Sequence, residues 1–289
     1  MADRTVTWGE LLRESTSRLA EAGFEDADIS ARRIVEEASG WDGAELVGHL
    51  GDGAPVRGVA HLDAMVERRL SGEPLQYVVG RWSFRMLDLM VDRRVLIPRP
   101  ETEEVAGWAI EEARRFKQPV VVDLGTGSGA IGLSVVTELT GSTVHLTDVS
   151  EDALVVTRAN LAGLGMAGSR VSVSAGSWFD ALPDDLAGSI DVIVSNPPYV
   201  SDDDELPPVV RDWEPELALR AGPDGLRDLI PIVEHAIGWL GPSGALVLEM
   251  APSQTHTIAQ ACLRAGFAEA EVRVDLSTRP RSVVARKRA

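Results

Sequence analysis

Val120-Val-Val-Asp-Leu-Gly-Thr-Gly-Ser-Gly-Ala-Ile-Gly132 runs from a β-branched stretch straight into three glycines at alternate positions. A short apolar run that stops at such a cluster reads as a buried strand and a turn, and the apolar spacing over 130–139 reads as the helix that follows. Gly125, Gly127 and Gly129 carry no Cβ, so the backbone of the turn can approach a ligand closely. The stretch therefore predicts both a strand–turn–helix unit and a binding loop.

Outward from it the same alternation repeats. Short apolar runs at 120–122, 144–146, 171–173, 190–194 and 245–248 are separated by helical patterns such as 130–139, 151–164 and 226–240. This order predicts an α/β fold with a mostly parallel sheet and helices on both faces. Ligands of such sheets lie beyond the carboxyl ends of the strands, near the topological switch point, so the chemistry is expected at strand ends. The amino-terminal part has a different period. Thr7-x-x-Glu10 is a capping box ahead of Trp8, Leu11, Leu12 and Leu19, with Gly23 as its stop. Asp28 is expected to cap a second helix carrying Ile29, Ile34 and Val35 and ending near Gly40, and Val59, Leu62, Val66 and Leu70 space another that stops at Gly72-Glu-Pro74. Strand-like spacing then runs from Trp82 to Ile97 and ends at Pro98-Arg-Pro100. The expected organisation is a helical domain over 1–75, a β-hairpin linker over 76–100 and the α/β domain over 101–289.

Composition narrows the function. The 289 residues are 44% hydrophobic with a formal net charge of −17, enough apolar material for one large core and a smaller one. Binding to nucleic-acid backbone or an anionic membrane needs a basic surface, so direct binding of either is not expected. The first ten residues lack the apolar region of a leader, and no run approaches the roughly 18 apolar residues of a membrane span. A single cysteine, Cys262, sits in the apolar pattern Ile258, Ala261, Leu263 as a core filler and fits a reducing, cytoplasmic setting. The basic tail from Arg279-Pro-Arg281 to Arg286-Lys-Arg288 reads as a solvated terminus. His49, His61, His145, His235 and His256 form no metal-binding pair, so no metal is expected.

Two strand ends carry the candidate site. Gly127-x-Gly129-x-x-Gly132 also satisfies the dinucleotide fingerprint, and Asp148, at the end of the next run, suits a ribose hydroxyl pair in either reading or caps the helix after Ser150. Asp123, just ahead of the turn, suits a ligand with a cationic end better than a pyrophosphate. Ser195-Asn-Pro-Pro-Tyr-Val200 closes the run 190–194. The Asn196 side chain and the Pro197 carbonyl both offer acceptors, and Pro197 and Pro198 stiffen the backbone with no competing N–H. Together they can grip an NH₂ group, orienting it and favouring charge on its nitrogen. Tyr199 offers a flat face for a planar amide or base.

The glycine-loop sequence resembles the first motif of class I S-adenosylmethionine-dependent methyltransferases, and Asn196-Pro-Pro-Tyr199 resembles the motif of enzymes that methylate adenine or cytosine amino groups or glutamine amides. Gly72-Glu-Pro-Leu-Gln-Tyr-Val-Val-Gly80, Phe84, and Val95-Leu-Ile-Pro-Arg-Pro-Glu-Thr-Glu103 choose among these. With Glu214-Pro-Glu-Leu-Ala-Leu219, Gly222-Pro-Asp-Gly225, Leu248-Glu249 and Gln254, they resemble the release-factor glutamine N5-methyltransferase family (HemK/PrmC). The resemblance implies a Rossmann-like, seven-stranded methyltransferase domain. It implies S-adenosylmethionine held by Asp123, Gly125, Thr126, Gly127, Ser128, Gly129, Asp148, Trp178 and Asn196. It also implies that Asn196, Pro197, Pro198 and Tyr199 hold the glutamine of a Gly-Gly-Gln motif in class I peptide-chain release factors, and that the helical domain binds that partner. A nucleic-acid aminomethyltransferase would call for a basic patch, whereas the amino-terminal half is acidic, and a dinucleotide-dependent oxidoreductase leaves Asn196 to Tyr199 unexplained. Met250-Ala-Pro252 departs from the family's pattern after Glu249. Arg99, Glu101 and Glu103 close the pocket or anchor the linker, Phe84 packs in the hairpin, and Glu214 and Asp224 order the segment after Tyr199, where 201–205 reads as a solvated acidic loop.

Overall fold

The computed structural model describes residues 5–289, so the first four residues of the expected helical domain lie outside the described residues. The chain divides into two compact units, with the boundary between Arg81 and Trp82.

The first unit is helical. α1 (Trp8–Glu21) starts at the expected capping box: the Glu10 N–H donates to the Thr7 hydroxyl at 3.3 Å, and the Thr7 N–H donates to the Glu10 carboxylate at 3.0 Å. α2 (Ala27–Ser39) begins earlier than the Asp28 cap implies. Asp26 precedes it, bound to the Ser30 hydroxyl at 2.9 Å and to Arg69 at 3.1 Å, while Asp28 lies in the first turn, where the helix dipole favours an acid. Ile29 is exposed, but Ile34 and Val35 are buried, and Gly40 closes the helix with φ of 78°. α3 (Gly43–His49) and α5 (Leu75–Val79) flank α4 (Val56–Leu70), which follows the expected spacing. Leu75 and Val78 of α5 join Trp8, Leu11, Ile34, Leu62, Met65 and Val66 in one apolar core. Burial of such side chains contributes about 1.5–3 kcal/mol each, so α5 packs with the bundle despite its linker-like sequence.

The hairpin of β1 (Arg81–Phe84), whose first residue ends the first unit, and β2 (Leu87–Met90) leads into the second unit. The strand spacing expected as far as Ile97 ends at Met90. Val91, Val95 and Ile97 remain buried, but Asp92 accepts the Arg94 N–H at 3.0 Å and turns the chain, and Pro98 and Pro100 have no N–H for a ladder. α6 (Pro100–Ala113) follows, then β3 (Val120–Leu124), α7 (Ala130–Glu138), β4 (Thr143–Asp148), α8 (Glu151–Ala162), β5 (Val171–Ala175) and β6 (Ile190–Ser195). The chain is completed by α9 (Pro208–Trp213), α10 (Leu229–Trp239), β7 (Leu240–Glu249), α11 (Thr255–Ala265), β8 (Glu269–Val274) and β9 (Pro280–Arg286). The sheet has seven strands in the order β5-β4-β3-β6-β7-β9-β8, parallel from β5 to β7 and antiparallel at β9 and β8. The mostly parallel α/β architecture is therefore the observed one. No helix among the described residues is long and apolar enough to cross a membrane.

The basic tail is a correction. It forms β9, pairing with β7 and β8, with Val283, Val284 and Ala285 buried. The flanking cations hide this short buried run in the sequence, and buried or nearby acids neutralise them. Arg286 reaches Glu112 of α6 at 2.5 Å and Glu269 at 2.8 Å, and Arg279 reaches Glu101 at 2.8 Å and Asp275 at 2.9 Å. Leu263 is also exposed, whereas Cys262 beside it is fully buried, and burial pushes its thiol up to about 12. Burial works against the charge of Glu112, yet Arg286 and Arg115 hold its carboxyl below the usual range. Glu112→Ala should therefore lower unfolding free energy by about 2–3 kcal/mol in urea titrations, because it removes the charge-assisted bonds from Arg286 and Arg115 and leaves Arg286 only its exposed partners Glu269 and Glu271. A loss under about 0.5 kcal/mol would make the pair no more than a surface ion pair.

Candidate active site

The parallel pairing of β3 with β6 sets Leu124 opposite Ser195, and the Ser195 hydroxyl donates to the Leu124 carbonyl at 2.6 Å. Gly125 and Asn196 therefore leave the sheet from neighbouring strands. From β3 the chain fills the sheet outward through β4 and β5, and from β6 it fills the other side, so this is the topological switch point.

The glycine loop is built for close approach from above and held from below. Gly125 has φ of 69°, and a Cβ there would meet the Trp178 ring at 3.2 Å. At Gly132 a Cβ would lie 2.2 Å from Leu146, so this glycine lets α7 pack against the sheet. Thr157 donates to the Gly127 carbonyl at 2.7 Å, and Asn160 to the Ser128 carbonyl at 2.8 Å. Asn160 also exchanges hydrogen bonds with the Met90 backbone at 2.7 and 3.0 Å, tying the loop to the hairpin. It was invisible in sequence, a polar residue inside an ordinary helical pattern.

Asp123 sits lower than its sequence position suggests. It is 1% exposed, does not line the cavity, and its Oδ2 accepts the Thr126 hydroxyl at 2.7 Å and the Gly132 N–H at 2.9 Å. Its expected role facing a cationic ligand end gives way to bracing the turn. Burial pushes its carboxyl up to about 6 against those two hydrogen bonds, with the negative charge of Asp148 adding to the rise. Asp148 does face the cavity. One oxygen accepts the Gly127 N–H at 2.9 Å and the other the Ser150 N–H at 2.9 Å, and the cap of α8 is Ser150, which accepts the Ala153 N–H at 3.2 Å.

These elements enclose a cavity of about 660 Å³. Of the expected residues, Gly125, Thr126, Gly127, Ser128, Asp148, Trp178, Asn196 and Pro198 line it, whereas Asp123, Gly129, Pro197 and Tyr199 do not. Trp178 both lines the cavity and packs on the core, from a left-handed backbone with φ of 46° that a bulky residue rarely adopts. Asn196 donates through Nδ2 to the hydroxyl of Thr102, a buried residue on the first turn of α6 that also lines the cavity. The distance is 3.3 Å. Tyr199 packs partly on the core, and its hydroxyl reaches Glu249 at 3.4 Å. Burial raises its phenol well above the ordinary value.

The segments around the turn are pinned. Gln254 donates to the carbonyls of Tyr199 at 2.9 Å and Gly225 at 3.1 Å and accepts the Ala251 N–H at 3.0 Å, so the divergent Met250-Ala-Pro252 turn is still held to the site. Glu214, nearly fully buried, accepts the Ile97 N–H at 3.1 Å and pairs with Arg99. Arg99 thus lines the cavity and anchors the preceding segment at once, while Glu101 turns to Arg279 and the Glu103 carbonyl accepts from Arg85 at 2.9 Å. Phe84 is buried in the hairpin. The acidic stretch 202–205 is exposed, with Arg220 bound to the Ser201 and Asp204 carbonyls.

A glycine loop, an acid at the second strand end and an Asn-Pro-Pro-Tyr turn on this sheet define a class I methyltransferase. A methyltransferase from Pyrococcus furiosus has the same fold, with a TM-score of 0.50 at 18% identity, covering 71% of this chain and 90% of that one. Residues 10–80 match the PrmC N-terminal domain model and residues 110–212 the methyltransferase small domain model. Proteins named release factor glutamine methyltransferase align over nearly the whole chain. The one from Streptomyces coelicolor is 41% identical over 95% of this chain and 96% of its own length. The one from Deinococcus radiodurans is 38% identical over 96% and 98%. The chain belongs to the release factor glutamine methyltransferase family.

Asp123 also carries a pH signature. Its carboxyl is raised from 3.8 to about 6, so across that window the folded state binds more protons than the unfolded state, and stability from this group falls as pH rises. The stability of the wild type relative to Asp123→Asn should therefore decline between about pH 4 and pH 6 in denaturant titrations. A difference that is flat with pH would place the Asp123 carboxyl at its ordinary value.

Proposed function

We propose that this chain methylates the side-chain amide nitrogen of the glutamine in the Gly-Gly-Gln motif of class I peptide-chain release factors, using S-adenosylmethionine, in the cytoplasm. The observation that carries the reading is that the glycine loop and Asn196 open from adjacent strands onto one cavity. A donor held by the loop and an amide held by Asn196 would meet there. The residues fit the cofactor: Gly125 leaves room where a Cβ would crowd Trp178, and Asp148 presents a carboxylate to the same space. Gly125 to Ser128, Asp148 and Trp178 would hold it. S-adenosylmethionine, when bound, supplies a methyl group already activated by its sulfonium.

The chain's own part is binding and orientation. The Asn196 side-chain oxygen, on the cavity wall, accepts one hydrogen of the substrate amide, which aims its nitrogen and favours the charge that builds there, with the Pro197 carbonyl, set back from that wall, as the second acceptor. Asp123 and Gly129 support the loop from beneath, and Pro198 and Tyr199 keep the turn in shape. The helical unit is proposed to recognise the release factor, and a chain of net charge −17 suits a partner with a basic, ribosome-facing surface.

Intact-mass and peptide mass spectrometry after incubation with S-adenosylmethionine and an unmodified release factor tests the reading, with duplex DNA and ribosomal RNA as controls. One methyl on the Gly-Gly-Gln glutamine is expected, lost in Asn196→Ala while cofactor affinity is largely kept. Methyl on adenine alone would overturn the substrate. Removing residues 1–81 should raise KM for the intact release factor with little change in cofactor binding, and unchanged kinetics would take the helical unit out of recognition.

A further inference from the structure

The chain leaves the Asn196 to Tyr199 turn at Val200 and comes back beside it at Leu219. The Val200 N–H donates to the Leu219 carbonyl and the Ala221 N–H to the Val200 carbonyl, both at 2.9 Å, so the excursion between them is closed at its base. Arg220 fastens its first turn by binding the Ser201 carbonyl and, at 2.8 Å, the Asp204 carbonyl. From there the excursion runs through α9, which buries none of its residues, and returns through Pro215, Leu217 and Ala218, which line the cavity.

A surface segment is ordinarily fixed by apolar side chains packed on the core. Over residues 201–218 a single residue is buried, and it is an acid, Glu214. Val209 and Leu217 stay exposed. The Glu214 side chain, 2% exposed, accepts the Ile97 N–H at 3.1 Å and pairs with Arg99 at 2.5 Å. A weaker contact lies alongside, the Arg93 guanidinium 6.0 Å from the Trp213 ring centroid, at the outer limit of attraction between a cation and an aromatic face. Arg93 and Arg99 themselves line the cavity. Glu214 therefore joins two segments that wall the same space.

Such a fastening suits repeated opening. Apolar anchors would be left facing water on release, whereas a carboxylate and a guanidinium regain their hydration, which offsets much of the bond that is lost. On the reading that S-adenosylmethionine fills the cavity, we propose that residues 205–218 form a strap latched by Glu214, which opens to pass the cofactor and its demethylated product and closes for transfer. The latch bonds Glu214 to the opposite wall, not to the cofactor, so it acts equally on the empty and the filled cavity. It sets how often the cavity opens and leaves affinity alone, because an interaction equal in both states shifts no binding equilibrium. Loosening it should raise the rates of entry and exit together. A residue that only touched the cofactor would change exit and Kd and leave entry as it was.

The test is stopped-flow association and dissociation of S-adenosylmethionine for the wild type, Glu214→Gln, Glu214→Asp and Asp212→Asn, with amide hydrogen exchange at Ile97 followed by NMR. Glu214→Gln should speed both entry and exit about 10–100-fold, the size of one hydrogen bond to a charged group, with Kd within about threefold. Glu214→Asp, which keeps the charge on a shorter stem, should fall between it and the wild type. Asp212→Asn removes the exposed Arg211–Asp212 pair of α9 and should match the wild type. In the wild type the Ile97 amide should exchange faster than that of Ile193 in the central sheet, and more slowly once cofactor is bound. Wild-type rates in Glu214→Gln, or faster exit with unchanged entry, would overturn the latch and leave the cofactor reading standing. A wild type that binds no S-adenosylmethionine would overturn both. Should Glu214→Gln fail to fold, a wild-type Ile97 amide that exchanges only as slowly as Ile193 would equally overturn the latch.

Discussion

The parallel register between β3 and β6 is the constraint on which the site depends. Leu124 and Ser195 are 71 residues apart in sequence, yet they pair in the sheet and share a hydrogen bond at 2.6 Å. A slip of one residue would move Asn196 by about 3.3 Å along the strand and turn its side chain to the other face. The register is specified because Val121, Val122, Val192, Ile193 and Val194 are all fully buried, so each face of both strands must match its helices.

Around that pairing, three acids stand at the carboxyl ends of strands. Asp123 ends β3 below the glycine loop, Asp148 ends β4 at its side, and Glu249 ends β7 behind the Asn-Pro-Pro-Tyr turn. Burial raises the pKa of all three, so none is held there for stability. The apolar sheet offsets the cost of burying them, and Asp123 and Asp148 fix the glycine loop. The opposite arrangement holds at Glu112, where arginines on two sides keep a buried acid ionised and join the last strand to α6.

The fold was legible where one physical signal dominated. The β-branched runs, the glycine turn and the capping box at Thr7 each name their structure locally. Reading failed where long-range partners decided. The charges of Arg279, Arg281 and Arg286 suggested a solvated tail because the acids that neutralise them lie elsewhere in the chain. Helix α5 looked like linker because its five residues gain their stability from a core built by other helices. Asp26 displaced Asp28 at the start of α2 because Arg69, 43 residues away, holds it there.

The sequence alone determined the class of fold, the two strand ends that carry chemistry, and the residue types there that can cradle a ligand and grip an amide. These follow from local rules: backbone freedom at glycine, rigidity at proline, and the period of buried side chains. Only the tertiary structure decided which of those residues reach the cavity. It lowered Asp123 beneath the loop, turned Tyr199 toward Glu249, and brought in Thr102, whose contact with Asn196 its motif does not show, and Asn160, which no motif marks. Side-chain direction at a strand end depends on what packs against it, and that packing exists only once distant segments have met.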